Sequence, residues 1–214
     1  MNATISADKE MTLEELVLRH GAIELQNPLP KQDFIALAER YPDLPMEREK
    51  NGTVTIMSPV KRGSGKREFN LAGLFYVWLH RSGLGEFYSP STGFDLPNGA
   101  TKSPDVAWIS PERLAAAPEE DEDAAFVQIV PDFVVEIRSQ TDRLKKLQTK
   151  MTDSWMANGV RLAWLIDPFE EKAYIYRQGQ EEPEVVEGFL DKKLSGEDVL
   201  PGFELDLETM KRKK

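Results

Sequence analysis

The sequence contains no cysteine and only two histidines among its 214 residues. Without cysteine, the chain can form neither disulfides nor cysteine-ligated zinc sites. With His20 and His80 as its only imidazoles, a histidine-rich metal site is not expected. No apolar run approaches the roughly 20 residues of a membrane-spanning helix, and the N-terminus lacks the apolar segment of a signal peptide. We therefore expect a cytoplasmic protein without a membrane partner.

Positive charge is also scarce, because 27 lysines and arginines face 37 aspartates and glutamates, for a net charge of −10. Non-specific binding to nucleic acid strengthens with the number of phosphates that cations neutralise, so this balance argues against it. A local basic groove remains compatible with the composition. The 40% hydrophobic and 30% charged content is that of an ordinary globular domain, and the length favours one domain with a small extension.

The most informative stretch is the apolar run at residues 133–137, which has the length and the β-branched content of a strand buried on both faces. Glu136 interrupts this run, and Arg138 follows two positions later. Side chains alternate along a strand, so the two charged groups leave on the same side, roughly 7 Å apart along the chain. A buried carboxylate needs a cation, a metal or water. A structural Glu–Arg pair and a functional site both satisfy that need at this point.

The remaining patterns predict an α/β fold with a mixed central β-sheet flanked by helices. A capping box at Thr12 and Glu15 opens a short helix that ends near His20. Asn51 and Gly52 predict the tight turn of a hairpin. The predicted helices cover residues 12–20, 31–41, 68–81, 112–116 and 142–157. The predicted strands cover residues 46–57 as the hairpin, then 86–96, 104–109, 133–137, 160–166 and 172–177.

For three further segments, the expected structure rests mainly on charge or on position in the chain. The loop at residues 61–67 combines glycines with four cations, which suits either a phosphate contact or a solvated loop. The acidic run at residues 119–123 has no metal-ligand register and is expected to be a surface loop. Residues 188–207 are expected to form a short arm that packs on the domain.

Asp105 and Glu136 are the candidate site, since each carboxylate accompanies a predicted strand and the two strands follow each other closely. If the strands are neighbours, the carboxylates converge and repel each other unless a hard cation joins them. Lys150 lies on the next predicted helix, which can return it to the same place. Two acids and a lysine are the minimum set for metal-assisted hydrolysis of a phosphodiester, in which the lysine positions or deprotonates a water.

These residues carry a resemblance to the PD-(D/E)XK nuclease superfamily and, within it, to the Uma-two family of restriction-endonuclease-like proteins. Pro104-Asp105 followed by Glu136-Ile137-Arg138 matches the superfamily pattern. Several longer stretches match the family in the same order, from about Glu47 to the C-terminus. They are residues 103–108, 131–139, 147–151, 158–168 and 194–203.

The resemblance implies roles for five residues. Asp105 and Glu136 correspond to the metal carboxylates, and Glu47 falls where the family often has an upstream acid that adds a direct or indirect ligand. Arg138 occupies the usual lysine position, so Lys150 corresponds to a relocated lysine. Arginine is a poor base but can bind a scissile phosphate. The expected cofactor is Mg²⁺ or Mn²⁺, and the expected substrate is DNA.

The resemblance also gives a domain plan: an N-terminal helical segment at 1–43, a restriction-endonuclease-like domain at 44–207 and a basic tail at 208–214. Duplex cutting requires two active sites or two encounters, so we expect a homodimer, with residues 188–207 as a possible contact arm. Two other roles remain compatible with the sequence. One is a nuclease-fold protein that binds nucleic acid or a partner without cutting, and the other is an accessory role that involves no nucleic acid.

Overall fold

The structure is a computed structural model that describes residues 11–118 and 124–212. Its helices are α1 (Leu13–His20), α2 (Lys31–Arg40), α3 (Arg62–Ser82), α4 (Pro111–Ala116) and α5 (Leu144–Thr149). Its strands are β1 (Ile23–Glu24), β2 (Met46–Arg48), β3 (Val54–Ile56), β4 (Glu86–Tyr88), β5 (Phe94–Asp95), β6 (Thr101–Lys102), β7 (Val106–Ile109), β8 (Phe133–Ile137), β9 (Leu162–Asp167), β10 (Lys172–Arg177), β11 (Glu184–Glu187), β12 (Lys193–Ser195) and β13 (Glu204–Asp206). A π-helical turn (Lys150–Trp155) and a 3₁₀ turn (Met156–Asn158) extend α5, and a second 3₁₀ turn (Leu207–Met210) follows β13.

The central element is a six-stranded mixed sheet in the order β11-β10-β9-β8-β7-β4. Only β8 and β9 pair in parallel, and the helix α5 with its extension connects them. The other pairings are antiparallel. Strand β8 lies in the interior, and all five of its residues are buried, as its apolar sequence predicts. This mixed sheet with flanking helices confirms the predicted α/β fold class.

The two faces of this sheet are covered by different parts of the chain. On one face, Leu71 and Phe75 of α3 pack with Val135 and with the C-terminal segment. On the other, Met151 and Trp155 of the π-helical turn pack around Val134. Alternate residues of β8 thus enter separate cores, which is the period-two pattern of a strand. Glu136 shares the face of Val134, so it points towards the π-helical turn.

A second, five-stranded sheet in the order β1-β3-β2-β6-β5 lies next to the N-terminal helices. The predicted capping box is present at Thr12 and Glu15, and Gly52 turns the predicted hairpin with a φ of 91°. Val17 of α1 and Phe34 of α2 are buried against the hairpin residue Val54. The N-terminal helices therefore share a core with β2 and β3. Glu47, one of the predicted site residues, lies on β2.

The C-terminal segment, residues 188–210, completes the core that α3 forms with Val135 on one face of the six-stranded sheet. Most of its large apolar side chains are buried there, with Leu190 as an exposed exception. The buried ones are Phe189, Leu194, Val199, Leu200, Phe203, Leu205, Leu207 and Met210. The segment thus packs on the domain as expected and uses this apolar surface within its own chain. The homodimer stays a prediction.

Three secondary-structure expectations differ from the structure. The segment expected as one strand at residues 86–96 is split into β4 and β5, which belong to different sheets, because Pro90 and Gly93 interrupt the run. The loop expected at residues 61–67 is instead mostly the start of α3, which begins at Arg62. The helix expected at 142–157 begins at Leu144 and changes to a π-helical turn at Lys150.

The acidic run at 119–123, which is expected to be a surface loop, and the last two residues of the basic tail, 213–214, lie outside the described residues. In the parts of the chain that are described, no helix is both long and apolar enough to cross a membrane.

Candidate active site

Asp105 and Glu136 lie at facing positions on neighbouring antiparallel strands. The register of β7 and β8 pairs Val106 with Val135, and one step further along the same register places Asp105 opposite Glu136. Facing residues on such a pair have Cβ atoms about 4.5–5.5 Å apart on the same face. Asp105 Oδ2 also accepts a hydrogen bond from the backbone N–H of Ile137. The structure therefore brings the two predicted carboxylates together at one end of the sheet.

Glu136 is held from the π-helical turn by two side chains. Trp155 Nε1 donates a hydrogen bond of 2.9 Å to Glu136 Oε1, and Lys150 Nζ lies 2.7 Å from the same oxygen. Glu136 itself is only 5% exposed. Its second oxygen makes no hydrogen bond to a described residue, which leaves that oxygen available to a ligand.

The π-helical turn explains how residues 150 and 155 reach one carboxylate. In a regular α-helix, side chains five positions apart diverge by about 140°. The wider i→i+5 turn brings them close to the same side of the helix. Such turns often occur at functional sites. A continuous α-helix, as expected from the sequence, would turn either Lys150 or Trp155 away from Glu136.

Lys150 also joins Glu136 to the second sheet. Its Nζ lies 2.7 Å from Glu47 Oε1 and donates a 2.9 Å hydrogen bond to the carbonyl oxygen of Ser103. Glu47 Oε2 in turn lies 3.3 Å from Nζ of Lys102, a lysine only 2% exposed. The ammonium of Lys150 therefore bridges two carboxylates from two sheets.

These contacts set the protonation states of Glu47 and Lys150. Burial alone raises the pKa of Glu47, but the ammonium groups of Lys150 and Lys102 outweigh burial and lower this pKa to about 2. Burial alone lowers the pKa of Lys150, but Glu136 and Glu47 outweigh it and raise this pKa above its usual range. Lys150 is therefore an ammonium at neutral pH, suited to stabilise negative charge rather than to accept a proton.

Asp105 has the opposite environment. Burial raises its pKa well above the usual range, and the negative charges of Glu136 and Glu68 raise it further against the opposing effect of the Ile137 N–H and Lys150. Burial is also the main cause of the raised pKa of Glu136. Within the described residues, no cation forms an ion pair with Asp105. Desolvated carboxylates with raised pKa values and little compensating charge are typical of functional sites.

Arg138 occupies a neighbouring position with a partner of its own. Its Nη1 lies 2.6 Å from Oδ2 of Asp167, which is fully buried. Asp167 follows Ile166 at the end of β9, and Ile166 pairs with Ile137 in the parallel register. A direct Glu136–Arg138 ion pair, one of the two interpretations of the sequence, is not formed between these described side chains. Instead, Glu136 is paired with Lys150.

The oxygen donors at this site suit a hard divalent cation, which prefers carboxylate ligands. Asp105 and Glu136 supply two such groups. Glu47, the third predicted ligand, is engaged by two lysines. Over residues 11–118 and 124–212, no group of three or more histidine, aspartate or glutamate side chains is arranged to hold a metal ion. The fit to a cation therefore depends on the Asp105–Glu136 pair, with water able to complete the coordination.

Sequence reasoning missed three members of this site: Glu68, Lys102 and Trp155. Glu68 lies on the second turn of α3, and its negative charge raises the pKa of Asp105. Because 37 positions separate the two residues, no local sequence pattern could have linked them. Lys102 precedes Ser103-Pro104-Asp105, but a lysine in a two-residue strand gives no sign of burial. Trp155 would have required the π-helical turn to be foreseen.

A solved structure shows the same fold. The chain is similar to a protein described as "a putative nuclease belonging to DUF820 from Anabaena variabilis ATCC 29413", with a TM-score of 0.69 and 19% sequence identity. The similarity covers 86% of this chain and 97% of the other. At this identity, the comparison defines the class of fold only, which is the mixed α/β fold that the two proteins share.

The sequence then identifies the family. Residues 32–208 match the model of the Uma2 family, which is described as "Putative restriction endonuclease". This match spans most of the chain, so the protein belongs to the Uma2 family, as its motifs indicated. A search of curated proteins finds no match to the sequence.

Proposed function

We propose that this protein is a divalent-metal-dependent endonuclease that hydrolyses phosphodiester bonds in DNA. The observation that carries this proposal is the facing pair Asp105 and Glu136, two desolvated carboxylates at a sheet end. Among the residues that the structure describes, no cation is paired to Asp105. Membership of the Uma2 family supports a nuclease activity. The metal and the DNA substrate are the parts that the proposal adds.

Asp105 and Glu136 would hold Mg²⁺ or Mn²⁺. When bound, such a cation neutralises the carboxylates and activates a water for attack on phosphorus. Trp155 fixes the orientation of Glu136 by its hydrogen bond, and the N–H of Ile137 fixes Asp105. Both carboxylates are thus oriented before a ligand arrives, which avoids the cost of ordering them on binding.

Lys150, as an ammonium, would stabilise the negative charge that develops on the phosphate or would orient the attacking water. Glu47 would act through this lysine, since it holds Lys150 from the opposite side. Arg138 would contact phosphate through Nη2, since Nη1 pairs with Asp167 and Nε donates a hydrogen bond to the carbonyl oxygen of Asp142. These assignments give each of the five predicted residues a distinct task.

The test is cleavage of supercoiled plasmid and of single-stranded DNA, with and without Mg²⁺ or Mn²⁺. We expect Asp105→Asn and Glu136→Gln each to lower the cleavage rate by about a thousandfold, which corresponds to several kcal/mol of lost charge stabilisation. Glu187→Gln is the matched control, because Glu187 is an exposed carboxylate on the edge strand β11. Equal rates in the control and the site variants would refute the assignment.

A protein that binds nucleic acid without cutting is the second candidate, favoured by one observation. Lys150 already occupies Glu136 Oε1, so a metal has to compete with an ion pair for this carboxylate. The same assay distinguishes the two functions. Binding of DNA without divalent-dependent cleavage by the wild-type protein would select the second. The predicted homodimer is tested by sedimentation at micromolar concentration, where a monomer would contradict it.

A further inference from the structure

Arg67 is a buried cation that forms no ion pair with a side chain in the described part of the chain. The residue is 8% exposed, and its Nε is fully buried without a hydrogen-bond partner. None of its nitrogens forms an ion pair with a carboxylate within 4.0 Å in the described residues. A buried guanidinium normally has such a partner, because an unpaired buried charge is costly. The position of Arg67 is therefore explained if an anion from outside the described residues supplies the negative charge.

The guanidinium of Arg67 lies over the first turn of its own helix. A Cβ atom placed on Gly63 would lie 3.7 Å from both Nη1 and Nη2 of Arg67. This turn begins the 21-residue helix α3, whose N-cap residue Lys61 makes no side-chain cap and whose first turn contains no acidic residue. Its first N–H groups lack helical partners, and the helix dipole places positive charge at the same end. Both features favour an anion.

A second arginine approaches from the C-terminal segment. The 3₁₀ turn at Leu207–Met210 contacts α3, and Met210 is buried, so the following residues are held near the helix. The Arg212 guanidinium stacks 4.6 Å from the centroid of the Phe169 ring, and that of Arg138 lies 5.6 Å from the same ring. Burial and then the charge of Arg212 lower the pKa of Arg67, and the negative charge of the adjacent Glu68 opposes them without outweighing them. Several cations are thus gathered where they repel one another.

This cationic cluster adjoins the candidate active site. Glu68, the next residue after Arg67, is close enough for its charge to raise the pKa of Asp105. Arg138 follows Glu136 by two positions on the end of β8. A ligand bound by the cluster would therefore lie beside the carboxylate pair.

We propose that Arg67, Arg212 and the first-turn amides of α3 form a phosphate-binding subsite, which holds a phosphodiester of the substrate strand next to the carboxylate pair. The proposal deepens the proposed function and rests on it for the identity of the strand. Arginine suits this role, because its planar guanidinium binds two phosphate oxygens at once. The subsite also explains why the chain retains a buried cation that forms no ion pair with any carboxylate of residues 11–118 and 124–212.

The first test uses inorganic phosphate and wild-type protein in EDTA, so that no metal-dependent step takes part. We expect phosphate to raise the melting temperature beyond the effect of sodium chloride at the same ionic strength. Arg67→Gln should abolish this response without lowering the melting temperature in phosphate-free buffer, since it removes an unpaired charge. Arg212→Gln, at an exposed position, should weaken the response, and Arg67→Lys should retain part of it. Arg81→Gln, at the far end of α3, should leave it unchanged.

The second test measures binding of a short fluorescent oligonucleotide in EDTA. We expect Arg67→Gln and Arg212→Gln each to weaken binding about tenfold, whereas Arg81→Gln should not. A phosphate response that persists in both Arg67→Gln and Arg212→Gln would overturn the subsite. A response that is lost while oligonucleotide binding is unchanged would overturn the phosphodiester assignment and leave free phosphate as the ligand.

The two proposals fail in different ways. Asp105→Asn should keep the phosphate response although it abolishes cleavage. A wild-type protein that cuts no DNA but binds phosphate through Arg67 would remove the proposed function and keep the subsite.

Discussion

The two sides of the candidate site place a half-buried carboxylate in opposite electrostatic environments. On the side of the five-stranded sheet, Glu47 is paired with Lys150 and Lys102, and its pKa falls to about 2. On the side of the six-stranded sheet, Asp105 has no paired cation in the described part of the chain, and burial together with Glu136 raises its pKa well above the usual range. Carboxylates whose pKa values are driven apart by their surroundings generally have different tasks.

This difference in environment separates two roles: one carboxylate holds Lys150 in place, and the other binds a ligand. A carboxylate that is already neutralised by two ammonium groups gains little from another cation, so Glu47 is suited to hold Lys150. A carboxylate that lacks a counter-charge gains most from one, so Asp105 is suited to a metal. Lys150 lies between the two sides, because it pairs with both Glu47 and Glu136. Glu136 in turn faces Asp105 on the neighbouring strand. Four substitutions test this division, from the largest expected effect to the smallest.

Lys150→Met should have the largest effect on stability. The substitution leaves Glu47 and Glu136 buried without their shared cation, and loss of one partner of a buried ion pair costs about 3–5 kcal/mol. Urea unfolding at neutral pH measures this loss. The matched control is Lys146→Met, at an exposed position one turn earlier where the lysine pairs with no carboxylate that the structure describes. If both variants unfold at the same urea concentration as the wild type, the bridge does not stabilise the fold.

Glu47→Gln should lower stability by about 3 kcal/mol at neutral pH, since one pKa unit corresponds to about 1.4 kcal/mol. The pKa of Glu47 is about 2 in the folded protein and has an ordinary value of 4.5. Its stabilisation is therefore complete above about pH 4.5 and is lost as the pH falls through about 2. Urea unfolding at a series of pH values measures this. A difference between variant and wild type that does not shrink with acid would contradict the ion-pair account.

Arg138→Met should lower stability by about 2 kcal/mol, less than Lys150→Met. Its partner Asp167 is buried but also accepts hydrogen bonds from the N–H groups of Phe169 and Glu170, so it keeps part of its stabilisation. Arg138→Lys should retain more stability than Arg138→Met, because it keeps the charge. Thermal melts compare the two variants. A melting temperature of Arg138→Met equal to the wild type would show that this ion pair contributes nothing.

Asp105→Asn should have the smallest effect, and its sign should be opposite. We expect the free energy of unfolding to rise by about 1 kcal/mol in metal-free buffer near pH 8. Because the folded protein holds this proton more tightly than the unfolded chain, the wild type loses stability as the pH rises through the raised pKa, and the variant does not. Mg²⁺ should raise the melting temperature of the wild type only. A variant that melts below the wild type without metal would place Asp105 with Glu47 as a supporting carboxylate.

Much of the fold follows from local sequence. The apolar run around Val135 has the length and β-branched content of a strand buried on both faces, and Asn51-Gly52 is typical of a tight hairpin turn. Thr12 and Glu15 mark a helix start, because each side chain satisfies a backbone N–H of the first turn. The errors occurred where local signals are weak. Gly63 and Gly65 suggested a loop, yet α3 continues through them, since Leu71 and Phe75 anchor the helix in the core.

By itself, the sequence determined the family, the mixed sheet and the nearness of Asp105 to Glu136, because strand periodicity and chain order are local properties. Only the tertiary structure decided which charges compensate one another. Lys150 pairs with Glu136, Arg138 pairs with Asp167 and Arg67 forms no ion pair within the described residues. Each outcome depends on residues that lie far apart in the chain. The electrostatic interaction between two charges depends on their separation in space and their burial, and a sequence records neither.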